Sequence, residues 1–291
     1  MGVGKGRLIS GMHMVGTKKN LGQHWLKNRE VLEKIADLAA GNSGASEIAE
    51  NRGDLCIEIG PGLGTLTSSL LKRFDKVIAV EYDERLARNL PNSFPGKNLE
   101  VLNEDILDAD FTRMTNGKKY VIAGNIPYYI TSPIISKILE ADHKPERAVL
   151  LMQKEVAERV LNVRGNTPLG LLVENCAEVE AGPIVKAAEF EPAPKVDSQV
   201  IVMNMRKISL WRGEGFELGM LLSIAFEMPR KKILNNLQLV MGREKAKEVL
   251  KKAGVSPDLR PGDLGLPEYQ AIWDEMDYTD ALAGLPTVLG L

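Results

Sequence analysis

The chain has 291 residues, 44% of them hydrophobic and 26% charged, and a formal net charge of −2. At about 150 residues per domain it has room for about two domains with buried cores, which excludes a disordered tail and a disulfide-stapled miniprotein. Cys56 and Cys176 form neither a disulfide framework nor a metal-binding spacing. No apolar run reaches the roughly 20 residues of a spanning helix, so the expectation is a cytoplasmic protein with no metal and no membrane segment.

The first 29 residues carry Lys5, Arg7, Lys18, Lys19, Lys27 and Arg29 and no acidic residue, so residues 1–30 read as a basic arm. From about residue 54 the chain alternates β-rich runs with helical spacing, the pattern of a doubly wound parallel sheet, and residues 31–206 are assigned to that domain. Strands are predicted over 55–59, 76–81, 99–102, 120–123 and 148–152. Helices are predicted over 65–73, 84–90, 133–140, 154–161 and 169–179, and closing strands over 183–187 and 199–205. After Arg206 the strand pattern stops, and helices are predicted over 216–226, 230–241, 244–253 and 267–276, punctuated by Gly254, Pro257 and Pro261-Gly262. Residues 207–291 are therefore a second, helical domain. It contains a basic cluster, Arg230-Lys231-Lys232, and residues 285–291 read as a tail.

Glycines 60, 62 and 64 close the first strand of the sheet and open its helix, where a doubly wound fold binds a nucleotide-like ligand. A dinucleotide fingerprint needs its third glycine at 65, which is Thr. The loop therefore suits an adenosine without phosphates, such as that of S-adenosylmethionine (SAM), better than a pyrophosphate; a tight turn with no ligand is the alternative. Glu81, some 20 residues on at the end of the second strand, is placed to accept hydrogen bonds from ribose hydroxyls. Asp105 follows the third strand and can accept from an adenine amino group, and Glu58 can orient the loop or a ligand ammonium. Gly2-Val3-Gly4-Lys5-Gly6 is no phosphate loop, lacking the spacing, the Ser/Thr and the preceding strand.

Asn125-Ile126-Pro127-Tyr128 follows the fourth strand and resembles the motif of methyltransferases acting on amino nitrogens conjugated to a ring. The resemblance implies that the Asn125 side-chain oxygen and the Pro127 carbonyl accept from the target amine, while Tyr128 stacks on the base. Such a base is single-stranded or flipped out. Over nearly its full length the chain is similar to the small-subunit ribosomal RNA adenine dimethyltransferases, the KsgA-like family. Further matches are Leu21-Gly22-Gln23-His24-Trp25-Leu26, Gln153-Lys154-Glu155-Val156-Ala157, residues 190–198, and Phe226 with Arg230-Lys231-Lys232.

The resemblance implies a Rossmann-like class I SAM-dependent methyltransferase sheet with a smaller C-terminal helical domain. The implied activity is dimethylation of N6 on two adjacent adenosines in a loop near the 3′ end of small-subunit rRNA, and the chain is expected to act as a monomer. It places His24, Leu26, Gly60, Glu81, Asp105 and Asn125 on the cofactor, and Tyr128 with Phe190 on the base. Arg230, Lys231 and Lys232 fall to the RNA. His24 stands where many bacterial members have Asn and resembles archaeal and eukaryotic ones; Tyr129 replaces a frequent Asn beside the target pocket, and Pro229 a frequent basic residue.

Overall fold

A computed structural model of the chain describes residues 24–41, 53–162, 165–213 and 215–276. Lys5, Arg7, Lys18 and Lys19 of the arm, Leu21-Gly22-Gln23 and the tail at 285–291 lie outside the described residues. The described parts of Asn20–Leu161 and Cys176–Ile208 form one compact unit, and those of Asn162–Asn175 and Ser209–Leu291 a second.

The first unit holds β1 (Trp25–Leu26), α1 (Arg29–Ala39), β2 (Gly53–Ile59), α2 (Thr65–Leu70), β3 (Phe74–Glu81), α3 (Glu84–Asn89), β4 (Leu99–Asn103) and α4 (Phe111–Thr115). It continues through β5 (Val121–Asn125), α5 (Thr131–Leu139), β6 (Arg147–Gln153) and α6 (Lys154–Val160). After α7 (Pro168–Cys176) come β7 (Ala177–Val185), β8 (Phe190–Glu191) and β9 (Ser198–Met205). Seven strands form one sheet in the order β4-β3-β2-β5-β6-β9-β7. The first five are parallel, and β9 runs antiparallel between β6 and β7. The inner strands bury nearly every residue because helices cover both faces, so β6 carries the continuous apolar run Ala148–Met152 instead of an alternation. The chain order reverses between β2 and β5. This switch point opens a crevice outside the carboxyl ends of the strands.

The short helix α4 was not predicted, nor were two features that position the site. In α1, Asn28 caps the helix by accepting from the N–H groups of Glu30 and Val31, and Leu32, Ile35, Ala36 and Ala39 form its buried stripe. Arg73 ties the helix to the α2–β3 turn through Glu33 (2.5 Å) and Asp37 (2.7 Å). The second is the two-stranded pairing of β1 with β8, Trp25 opposite Glu191 and Leu26 opposite Phe190.

The helical unit comprises α7 with α8 (Gly215–Ala225), α9 (Ile233–Met241), α10 (Arg243–Lys252) and α11 (Leu266–Glu275). Its core joins Leu171 to Trp211, Leu221, Leu237, Leu250 and Tyr269. The predicted boundaries therefore need three corrections: residues 24–30, predicted as part of the arm, belong to the sheet unit as β1 and the start of α1. Residues 162–175 group with the C-terminal helices, held by Asn175, whose side-chain oxygen accepts from the Trp211 N–H at 2.7 Å, and by Asn166, which donates to the Leu264 carbonyl at 2.7 Å. The helix predicted over 169–179 ends at Cys176, and the following strand begins at Ala177. There the spacing changes to the period-two run Ala177-Glu178-Val179-Glu180 with no Gly or Pro to mark the switch. Among the described residues no helix is long and apolar enough to cross a membrane.

Candidate active site

The loop after β2 turns on Gly60, Gly62 and Gly64, all in the left-handed region at φ 65°, 56° and 82°. A Cβ on Gly62 would lie 3.1 Å from the Trp25 indole nitrogen, so the loop runs directly against β1. Glu81 ends β3 only 4% exposed. Its carboxylate accepts from the N–H of Gly62 (3.1 Å) and of Asp83 (2.9 Å), which fastens the glycine loop to the end of β3. Burial pushes the Glu81 carboxyl up, and these two backbone donors only partly offset it. Asn103, unforeseen in the sequence, donates to the carbonyls of Glu81 (2.9 Å) and Tyr82 (3.1 Å) and fixes that strand end from β4. Asp105 is half-buried past β4 and accepts from the Leu107 N–H at 2.9 Å.

Glu58 is 1% exposed, and its Oε2 has no hydrogen-bond partner. Burial pushes its carboxyl up to about 8; Thr67 opposes the shift and Glu81 adds to it. The folded ligand-free protein thus holds a proton at Glu58 at neutral pH, whereas the unfolded chain releases it near the ordinary carboxylate value of about 4.3. This contribution to stability is greatest below that value and declines as pH rises toward 8. Glu58→Gln is expected to remove that decline, raising the urea midpoint over wild type more at pH 8 than at pH 5; equal differences at both pH values would count against a protonated Glu58.

The tetrapeptide lies beside this loop: a Cβ on Gly60 would be 3.9 Å from the Asn125 carbonyl and 4.0 Å from the Pro127 ring. Asn125 donates its amide N–H to the His24 carbonyl at 2.9 Å, so its side-chain oxygen is the acceptor left over. Tyr128 shares a 2.7 Å hydrogen bond with the buried Ser198 hydroxyl and keeps part of its ring exposed. The Pro127 carbonyl, expected to accept from a target amine, is already engaged. Ile130 N–H and the Thr131 hydroxyl both donate to it at 3.3 Å. The neighbouring Ile126 donates its N–H to Leu151, and among the described residues its carbonyl accepts nothing. The free peptide acceptor next to Asn125 is therefore at 126, one residue before the expected position.

The remaining expected residues divide. The Leu26 side chain is 1% exposed in the core, leaving only its main chain for a ligand. Phe190 is 4% exposed in the same core, opposite Leu26 in the β1–β8 pairing, so the structure gives it packing and no open face for a base. Tyr129 is 64% exposed; burial first, then the charges of Asp105, Tyr82 and Glu81, push its phenol up. In the helical unit Arg230, Lys231 and Lys232 are exposed but lie in the turn before α9, not in the helix expected over 230–241. Asn236 holds this turn by accepting from the Met228 N–H (2.7 Å) and donating to the carbonyls of Met228 and Lys232. Lys232 pairs with Asp258 at 2.6 Å.

A family model described as ribosomal RNA adenine dimethylase matches residues 14–275. A ribosomal RNA small subunit methyltransferase A from Mycoplasmopsis pulmonis is 37% identical over 265 residues, covering 89% of this chain and 98% of the relative. One from Nostoc punctiforme is 36% identical, covering 90% and 96%. Among solved structures, a dimethyladenosine transferase from Plasmodium falciparum superposes with a TM-score of 0.68 at 28% identity, over 86% of this chain and 96% of that one. The 23S rRNA methyltransferase ErmE superposes with a TM-score of 0.66 at 28% identity, over 87% and 99%.

Proposed function

The chain belongs to the ribosomal RNA adenine dimethylase family, and on that premise we propose how its residues carry out SAM-dependent dimethylation of adenosine N6 in small-subunit rRNA. The observation that carries this reading is the Asn125 amide. Its N–H is committed to the His24 carbonyl, which leaves its oxygen as the acceptor available at the switch point of the sheet.

The residues present fit the cofactor. Left-handed glycines allow close main-chain approach, buried Glu81 and half-buried Asp105 end adjacent strands, and the unpartnered oxygen of Glu58 lies beneath the loop. Glu81 would hold the ribose hydroxyls and Asp105 the adenine amino group, with Gly60, Asn125 and the main chain of His24 and Leu26 around the rest. SAM, when bound, supplies a methyl group activated on a sulfonium. In the first transfer the Asn125 side-chain oxygen and the Ile126 carbonyl would accept the two N–H groups of the target amine, and in the second one of them would accept the N–H that remains, which draws the lone pair out of conjugation with the purine. Tyr128 stacks on the base and sets its plane. Positioning and electrostatics thus do the work, and the proton is lost to solvent after transfer without a strong base.

Incubation with labelled SAM and unmethylated small or large ribosomal subunits, followed by mass spectrometry of the digested rRNA, tests the reading. Dimethyladenosine is expected in the small-subunit rRNA. Label confined to the large subunit would favour the activity named for the ErmE-like fold neighbour, and no label in either would reject both. The substrate is proposed to be the assembled small subunit or its precursor in the cytoplasm, met by a monomer.

Arg230 and Lys231 have no ion pair among the described residues, unlike Lys232. Replacing both by alanine is expected to weaken RNA binding and make the slope of log K against log salt less negative by about 1.5, since each lost phosphate contact removes roughly 0.7–0.9. An unchanged slope would show that neither charge meets a phosphate.

A further inference from the structure

The family resemblance places His24 on the cofactor, but its side chain is engaged elsewhere. The imidazole stacks on the Tyr128 ring, with centroids 5.4 Å apart and planes 23° from parallel, in the range where aromatic pairs attract. Its Nδ1 lies 2.6 Å from the Pro192 carbonyl, which can only accept, so Nδ1 carries the proton. The same residue receives the Asn125 amide on its own carbonyl. One residue therefore touches both the side chain that would hold the target amine and the ring that would hold the base. It is anchored next to β8, where Leu26 and Phe190 pair and Lys27 donates its N–H to the Glu189 carbonyl at 2.9 Å.

We propose that the His24 imidazole is a positioning residue for the target base: it covers one face of Tyr128, sets the plane of that ring, and leaves the opposite face as the surface on which the adenine stacks. The inference rests on the functional reading above and deepens it. Tyr128 is pinned at its hydroxyl by Ser198, which still allows the ring to rotate about its long axis. A flat side chain against one face removes that freedom, and the Nδ1–H bond to Pro192 holds the flat side chain. Because Asn125 binds only the main chain of residue 24, replacing the side chain leaves the acceptor in place.

The test compares wild type, His24→Ala and His24→Phe. SAM affinity is read by calorimetry, and kcat and the RNA KM are read on unmethylated small subunits. His24→Ala is expected to lower kcat about tenfold and raise the RNA KM, with the SAM Kd within about twofold of wild type. His24→Phe, which keeps a flat ring, should recover most of kcat. Wild-type kinetics in the alanine variant would overturn the proposal. So would a raised SAM Kd with unchanged kcat at saturating SAM, which would return His24 to the cofactor, or a lowered RNA KM, which would mean the imidazole blocks the place of the base. Failure of wild type itself to methylate rRNA would instead reject the functional reading, and this inference with it. In that case the upfield shift of the His24 ring protons, lost in Tyr128→Ala, would still report whether the two rings stack.

Discussion

Asn125→Ala is expected to lower kcat for methyl transfer by about two to three orders of magnitude, the range found when one preorganised polar group is removed from a reacting centre. The side chain has two jobs that the substitution separates in size. Its oxygen is the acceptor that would hold the target amine, and its N–H holds the His24 carbonyl at 2.9 Å. The second bond is a neutral one worth about 1 kcal/mol, so the N-terminal segment should loosen only slightly and the SAM Kd should rise by less than about tenfold. Asn125→Asp restores an acceptor but cannot donate to His24, so it should recover part of kcat. Single-turnover methylation at saturating SAM measures the difference, and an alanine variant with wild-type turnover would remove Asn125 from the reaction.

Glu81→Ala is expected to act on the other substrate. A charge-assisted bond to a ribose hydroxyl contributes roughly 1.5–3 kcal/mol, so the SAM Kd should rise by about one to two orders of magnitude. The structure adds a reason beyond the direct contact: the same carboxylate fastens Gly62 and Asp83, so its loss frees the glycine loop as well. Glu81→Gln separates the two effects. The amide can still accept one backbone N–H, so loop order is partly kept while the charge is lost. At saturating SAM, kcat should return to near wild type in both variants. Unchanged SAM affinity in Glu81→Ala, measured by calorimetry, would show that the cofactor does not reach this carboxylate.

Much of this site is written locally in the chain. Apolar runs that halt at a glycine cluster or an acid, as at Ile59-Gly60 and Val80-Glu81, give the strand ends, and strand ends give the crevice. The capped stripe of α1 was equally local, with Asn28 before Leu32, Ile35, Ala36 and Ala39, but it sits beside a basic run that suggested an arm. Other features have no local sign. Two-residue strands such as β1 and β8 lack the length for any period, and their paired residues, Trp25 with Glu191 and Leu26 with Phe190, are far apart in the chain, so Trp25 against Gly62 and His24 against Tyr128 exist only once the chain has folded. The same holds for Phe190, whose place beside Leu26 puts it in the core. Whether a carbonyl such as that of Pro127 is free or engaged depends on the turn that follows, here Ile130 and Thr131 folding back onto it.

The pairing of Trp25 and Leu26 with Glu191 and Phe190 also bears on when the protein becomes competent. During synthesis the segment that completes the crevice emerges before β2, yet β8, which holds it, is made only after β7. Contacts between such distant positions form late, because the intervening loop must lose its entropy before they are rewarded. A nascent or partly folded chain could thus assemble the parallel strands while lacking His24 behind Tyr128 and Trp25 beneath the glycine turn. Competence would then be the last step of maturation, and a half-made enzyme would stay silent.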